Sequence, residues 1–135
     1  MFDTKIAIVI RQGLLPWQAL NVTAFVTSGI VAQHPEIVGE PYRDRAGNNY
    51  HPLARQPIIV LAADVSTIAT IHRRTLDRDV VTSLYVEEMF ATGHDEANRH
   101  VFAQYSPDDA RVVGIGIHAP KKIADKITKG ASLYC

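Results

Sequence analysis

The side chains best suited to chemistry are concentrated between Glu87 and His100. Glu87 and Glu88 directly follow an apolar run, and Thr92 and His94 lie a few positions further on. A carboxylate or an imidazole in such a cluster can act as a general acid or base. The candidate catalytic residues are therefore Glu87, Glu88 and His94, and Thr92 is a candidate ligand-binding residue.

A metal site is a second interpretation of the same segment. Glu96 and His100 are four positions apart and would share one face of a helix, with His94 close by in the sequence. Such a set can bind a divalent metal. The segment has no His-x-x-x-His pair and no pair of cysteines, however, and its loops are expected to be solvated. We therefore predict no metal and no cofactor.

A polar residue also interrupts the first predicted helix. Asn21 lies one turn into a mostly apolar stretch, near Gln18 and Thr23. An amide inside a helix is unfavourable unless it finds partners. Asn21 either forms the polar floor of a ligand pocket, with Gln18 beside it, or bonds the backbone of a neighbouring loop. The sequence does not distinguish between these two interpretations.

The elements that must position these groups follow from the apolar pattern. Short branched apolar runs predict buried strands at residues 5–10, 57–62, 80–86 and 112–117. Between them, helices are predicted at residues 17–33, from 64 or 66 to 78, at 96–104 and at 120–130, with one helical turn at 87–92. The first helix has apolar residues around most of its circumference, which is typical of a buried helix. This alternation predicts a three-layer α/β sandwich with a mixed sheet of four or five strands, in a single domain over residues 1–135.

Two further segments have specific expectations. Gly114 and Gly116 would share one face of the last strand, opposite Val113, Ile115 and Ile117, so that a helix can approach closely on the glycine face. Residues 34–55 contain repeated prolines and glycines and a turn sequence at 46–49. They form either a functional flap or a wide connection with one short strand near Tyr50.

Composition limits the class of protein. The 135 residues include 14 basic and 14 acidic ones, for a formal net charge of zero. This balance offers no global attraction to nucleic acid or anionic lipid, and the basic helix faces at residues 73–78 and 121–129 are expected to be solvated. The one cysteine cannot form an internal disulfide, and neither a signal peptide nor a membrane span is recognisable. We expect a cytoplasmic protein without nucleic-acid or membrane partners.

Motifs at both ends of the chain carry a family resemblance. A strand ending in Val9-Ile10-Arg11 leads to a helix of small residues, and Ala119-Pro120 is followed by Asp125-Lys126-Ile127-Thr128 and a late Leu133. These stretches resemble the archaeal and eukaryotic type of peptidyl-tRNA hydrolase, which implies the fold of that family. The phrases Ala19-Leu20-Asn21-Val22 and Phe90-Ala91-Thr92-Gly93-His94 resemble a bacterial family known as domain of unknown function 2000, whose members have a similar fold and no settled activity.

The residues that the hydrolase family uses are not retained. Its lysine near the start of the first helix has its nearest equivalent here in Asn21, and its aspartate motif is replaced by the segment 87–92. Loss of the lysine removes a charge that could stabilise a developing anion. We therefore expect no classical peptidyl-tRNA hydrolase activity.

Three hypotheses for the function follow. The first is binding of a small polar or anionic ligand where the loops after the first and third strands meet. The second is a divergent hydrolase of an aminoacyl or related ester, with a glutamate or His94 as the base. The third is a non-enzymatic homodimeric module that uses exposed apolar residues such as Trp17 and Tyr134.

Overall fold

A five-stranded mixed sheet lies at the centre of the fold. The structure is a computed structural model that describes residues 2–135. The strands are β1 (Thr4–Arg11), β2 (Tyr42–Arg43), β3 (Asn49–Tyr50), β4 (Ile58–Ala63), β5 (Ser83–Val86), β6 (Val112–Pro120) and β7 (Ser132–Leu133). The helices are α1 (Pro16–Gln33), α2 (Val65–Asp77), α3 (Asp95–Phe102) and α4 (Lys121–Ile127), with 3₁₀ turns at Pro35–Ile37 and Glu87–Ala91.

The sheet has the strand order β5-β6-β1-β4-β7. β1 and β4 are parallel, and the other three pairs are antiparallel. This arrangement confirms the prediction of a mixed sheet. Because β5 and β1 both run antiparallel to β6, their carboxyl ends lie at the same edge, which brings together the segments that follow them.

Helices cover both faces of the sheet. On one face, alternate residues of β1 pack against the buried side of α1, in a cluster that contains Ile8 and Val26. On the other face, Val9 and Ile115 pack with α2 and with Ile127 of α4. None of the described helices is both long and apolar enough to cross a membrane.

α1 approaches β6 through the two glycines, as the sequence predicted. A Cβ on Gly114 would overlap Cγ1 of Val22, and one on Gly116 would lie 2.8 Å from Cδ1 of Ile30. The placement of Val113 opposite the glycines was wrong. The register shifts between Tyr85 and Val86 where β5 pairs with β6, and Val113 joins the cluster on the α1 side.

The expectation that α1 is buried on most of its circumference was also wrong. Its fully buried residues form one stripe, and Leu20 is 73% exposed. Trp17 and Phe25 are each more than half exposed as well. The apolar pattern did not distinguish burial from an exposed apolar face, which in α1 carries no charged residue.

The strand predicted at residues 80–86 begins only at Ser83, because the preceding residues close α2. Asp79 has a left-handed φ of 53°. The Val80 N–H bonds the Thr75 carbonyl at 2.9 Å, and the Asp79 N–H bonds that of Leu76 at 3.2 Å. These two hydrogen bonds form a Schellman motif, with aspartate where glycine is usual.

The final helix is shorter than predicted. α4 ends at Ile127, and the chain turns through Gly130, whose φ is 100°. The Arg74 guanidinium donates to the carbonyls of Ile127 and Lys129 at 3.0 and 2.7 Å, so this arginine caps α4 instead of contributing to a solvated basic face. The sequence analysis missed β7, which pairs with β4.

The connection at residues 34–55 contains a short hairpin of two strands, whereas one of its two predicted alternatives had a single short strand near Tyr50. The Asp44 carboxylate accepts hydrogen bonds from the backbone of Ala46 and Asn48 and from the Tyr50 hydroxyl. The side chain of Asn48 also donates to it, and these contacts lower the pKa of Asp44 to about 2. The predicted turn is therefore present and is held by one carboxylate.

The contact between α1 and β6 predicts a strong effect of filling the glycine face. Gly114→Ala should lower the free energy of unfolding by about 1–3 kcal/mol, because the added methyl group overlaps Val22. Urea unfolding of the single and double variants with Val22→Ala measures the coupling, and the double variant should recover part of the loss. Gly93→Ala is the control, since nothing lies within 4 Å of its added Cβ. Equal stability of Gly114→Ala and the wild type would contradict the packing.

Candidate functional site

A cavity of about 230 Å³ lies between the amino-terminal half of α1, the end of β5 and the start of α3. It brings together three of the sequence-predicted residues, Asn21, Thr92 and His94. The remaining lining residues are Trp17, Phe25, Tyr85, Met89, Phe90, Gly93, Asp95 and Asn98. The cavity therefore joins one amide and one imidazole from the predicted site to an aromatic wall that the sequence analysis did not predict.

The aromatic wall is a connected set of rings. Trp17 and Phe90 meet edge to face with ring centroids 5.8 Å apart, and Phe90 lies 5.3 Å from Tyr85. Tyr85 in turn lies 5.9 Å from Phe25. Contacts of this geometry add to the stabilisation from apolar burial, so the wall is expected to be rigid.

The polar groups of the cavity differ in how far they are already satisfied. The Thr92 hydroxyl lies 2.9 Å from the Met89 carbonyl and also contacts the Asn98 amide, which ties the turn after β5 to α3. The half-buried Asn21 forms no side-chain hydrogen bond with any residue in the described part of the chain. Its amide is therefore not used to hold a neighbouring loop and remains available to a ligand.

His94 caps α3 and lines the cavity at the same time. Its Nδ1 accepts a hydrogen bond from the Ala97 backbone N–H at 3.2 Å. Since an accepting Nδ1 has no proton, the neutral ring carries its proton on Nε2. His94 can therefore offer one N–H donor without giving up its role as a cap.

The two predicted glutamates do not line this cavity. Glu87 Oε2 lies 3.4 Å from Arg11 Nη1 and 3.9 Å from Arg111, and Glu88 Oε2 lies 2.6 Å from Arg111 Nη2. The end of β1, the segment after β5 and the residue before β6 are thus joined by ion pairs. Hydrogen bonding to Arg111 is the main cause of the lowered pKa of Glu88. A carboxylate held ionised in this way is a poor proton acceptor.

Gln18 has a structural contact outside the cavity. Its Oε1 accepts from the Leu15 backbone N–H at 3.0 Å and so caps the start of α1. A larger and more open groove of about 610 Å³ continues from the cavity along β5 and α3 and shares Phe25 and Tyr85 with it. A ligand longer than the cavity can therefore extend along this groove.

The candidate metal ligands lie elsewhere. The predicted alternative of His94, Glu96 and His100 does not form a cluster, and Glu96 and His100 are both exposed. Within residues 2–135, the group whose ligand atoms all lie within 4.8 Å of one another is instead formed by His34, Glu36 and His118. No local motif joins these residues, because His118 follows the other two by more than half the chain.

The sheet and its covering helices define an α/β protein with a lined cavity beside the edge strand β5. Residues 4–135 match the family described as protein of unknown function (DUF2000), so the chain belongs to that family, as the sequence analysis expected. It is similar to the solved structure of a protein of unknown function from Agrobacterium tumefaciens strain C58, with 63% identity, a TM-score of 0.99 and 100% of both chains covered. No curated protein matches the chain.

The ion pairs at the strand ends predict a pH-dependent effect of Glu88→Gln. The pKa of Glu88 is lowered from its ordinary value of 4.5, so its stabilising contribution is present above that pH and is lost as pH falls through the lowered pKa. The variant should unfold at lower urea concentration than the wild type at neutral pH, and the difference should shrink in acid. Glu96→Gln, at an exposed position, should show no such difference. If the difference in unfolding urea concentration between Glu88→Gln and the wild type is unchanged or larger in acid, this role is contradicted.

Proposed function

We propose that this protein binds a small, uncharged polar ligand with a flat apolar part in the cavity between α1 and α3. The observation that carries the proposal is the juxtaposition of the unpaired Asn21 amide and the His94 imidazole with the connected rings of Trp17, Phe90 and Tyr85. Ligand sites commonly combine such an apolar lining with a few polar groups that orient the ligand.

The charges around the cavity favour a neutral ligand over an anionic one. The lining contains neither lysine nor arginine, and it includes the acidic residue Asp95. Arg99, which reaches the neighbouring groove, is paired with Asp95 at 2.8 Å. An anion entering the cavity would lose water without gaining a cationic partner, which is costly. This narrows the earlier expectation of a polar or anionic ligand.

The hydrogen-bonding groups suit a ligand with both a donor and an acceptor. Asn21 offers an amide carbonyl and an NH₂ group, and His94 offers the Nε2–H. An amide or a heterocycle with adjacent N–H and C=O groups can complement this set while its flat part packs against the rings. Ligands of the nicotinamide or uracil type have this combination.

The hydrolase hypothesis has less support. Glu87 and Glu88 are paired with arginines, which leaves His94 as the remaining candidate base. The likeness in fold to peptidyl-tRNA hydrolases stays a prediction, supported by the passage of β1 into α1 and of β6 into α4. The absence of nucleic-acid partners stays a prediction that rests on the neutral charge balance, and the cytoplasmic location stays a prediction as well.

Homodimer formation is supported by a separate feature. Trp17, Leu20 and Phe25 leave an uncharged apolar surface on α1. Such surfaces often mark interaction sites. Trp17 and Phe25 also line the cavity, however, so part of this surface has a function in the proposed ligand site without a second protein copy.

Trp17 gives a direct test of the ligand proposal, because it is the one tryptophan in the sequence and lines the cavity. Titration with nicotinamide and with uracil should change its fluorescence in a saturable way. The anionic analogues nicotinate and orotate should bind at least about tenfold more weakly, a difference of about 1.4 kcal/mol. Equal binding of each neutral and anionic pair, or no saturable change with any of the four, would refute the proposal.

A matched pair of variants locates the binding. Asn21→Leu should weaken binding of the preferred probe by about tenfold or more, because an apolar side chain replaces the free amide and cannot form hydrogen bonds with the ligand. Gln18→Leu makes the same chemical change one turn away and outside the cavity, and it should leave affinity unchanged. Circular dichroism of both variants checks that the fold is retained. Loss of affinity in Gln18→Leu alone would move the site away from Asn21.

A further inference from the structure

Two histidines and a glutamate converge at the other end of α1. His34 follows the last residue of α1, Glu36 lies in the 3₁₀ turn that comes next, and His118 lies near the end of β6. The imidazole rings of the two histidines have centroids 4.2 Å apart and are tilted by 49°. One potential ligand atom from each of the three residues lies within 4.8 Å of the others.

The packing of α1 on β6 explains this convergence. Ile30 lies over Gly116. Four positions further along the helix is His34, and two positions further along the strand is His118. The contacts of Val22 with Gly114 and of Ile30 with Gly116 show that α1 and β6 run in the same direction, so both histidines lie beyond the second contact at the same end. His118 also pairs with Ile6, whose side chain belongs to the cluster on the α1 side.

The surrounding contacts orient the donor atoms. Nε2 of His118 lies 3.1 Å from the Thr4 hydroxyl oxygen. When that nitrogen donates to Thr4, the Nδ1 lone pair of His118 is free to bind a cation. The Nδ1 of His34 lies 3.2 Å from Glu36 Oε1. A bound cation can replace the hydrogen bond between these two atoms, because both can act as ligands. Hydrogen bonds that fix a ligating imidazole in this way are a general feature of metal sites.

We propose that His34, Glu36 and His118 form a binding site for a divalent first-row transition metal, with zinc as the cation that fits the donor set most directly. Two imidazoles and one carboxylate are a common three-residue ligand set for zinc and also for non-haem iron. Magnesium and calcium prefer oxygen ligands, so a site with two imidazoles favours a transition metal over them. Binding by three side chains leaves at least one coordination position for water or another ligand.

A cavity gives access to that open position. It has a volume of about 240 Å³ and is lined by both histidines together with Gln33 of α1 and Ser83 of β5. A small molecule in this cavity could reach a cation held by the histidines. The geometry therefore allows a cation that is open to exogenous ligands, which differs from the closed four-residue arrangement of structural zinc sites.

This site is separate from the cavity of the proposed function. Asn21 lies in α1 and His34 directly follows the last residue of that helix, so the helical rise of about 1.5 Å per residue separates them by roughly 20 Å. The lining residues of the two cavities do not overlap. Failure of the ligand proposal would therefore leave the metal proposal intact, and the converse also holds.

Isothermal titration of the full chain with zinc chloride tests the proposal. We expect one saturable site in the wild type, with affinity reduced at least about a hundredfold in His118→Gln and in Glu36→Gln, since even indirect changes around metal ligands cost about 10–100-fold. His51→Gln and His100→Gln remove exposed histidines elsewhere and should bind as the wild type does. Cobalt provides a second readout, because visible absorption bands should appear on binding to the wild type and be lost in His118→Gln.

The outcomes separate the proposed site from incidental binding. No saturable binding to the wild type, or unchanged zinc affinity in both Glu36→Gln and His118→Gln, would overturn the proposal. Equal losses in the His51 and His100 controls would assign the binding to surface histidines and overturn it as well. Glu36 is exposed, so Glu36→Gln keeps the test decisive if His118→Gln fails to fold.

Discussion

The close approach of α1 to the glycine face of β6 is the constraint on which the other features depend. Any side chain at Gly114 would overlap Val22, so the helix axis can lie this near the sheet only because both glycines lack a Cβ. The approach fixes the position and rotation of a rigid helix of 18 residues. It thereby places Asn21 against the segment after β5 at one end and His34 against β6 at the other.

A second constraint acts at the carboxyl ends of β1 and β5. Arg11, Glu87, Glu88 and Arg111 converge there in a chain of ion pairs. Glu88 Oε1 is buried and has no hydrogen-bond partner among the described residues, so the ion pairs with arginine act through Oε2. The dense acidic segment that suggested catalysis thus has a positioning role, because it holds the turn that carries Thr92 and His94.

The sequence predicted those features that short-range patterns encode. Branched apolar runs located β1, β4 and β6, and the glycine spacing correctly predicted a closely packed helix. The errors arose where a local pattern permits two structures. Val80 continues an apolar run but is hydrogen-bonded to the end of α2, and Leu20 continues the apolar pattern of α1 but faces solvent. Propensity does not determine which of two competing hydrogen-bond partners or environments is available.

The candidate sites are even harder to predict from local sequence patterns, because both are made by contacts between distant parts of the chain. The polar residues Asn21, Thr92 and His94 were visible as local anomalies, and the structure brings them to one cavity. The pair His34 and His118 produced no anomaly, since a single histidine at a helix end or in a strand is unremarkable. Its proximity follows only from the register of α1 on β6, which sequence patterns do not specify. The glycine face therefore determines the fold and also which distant side chains can act together.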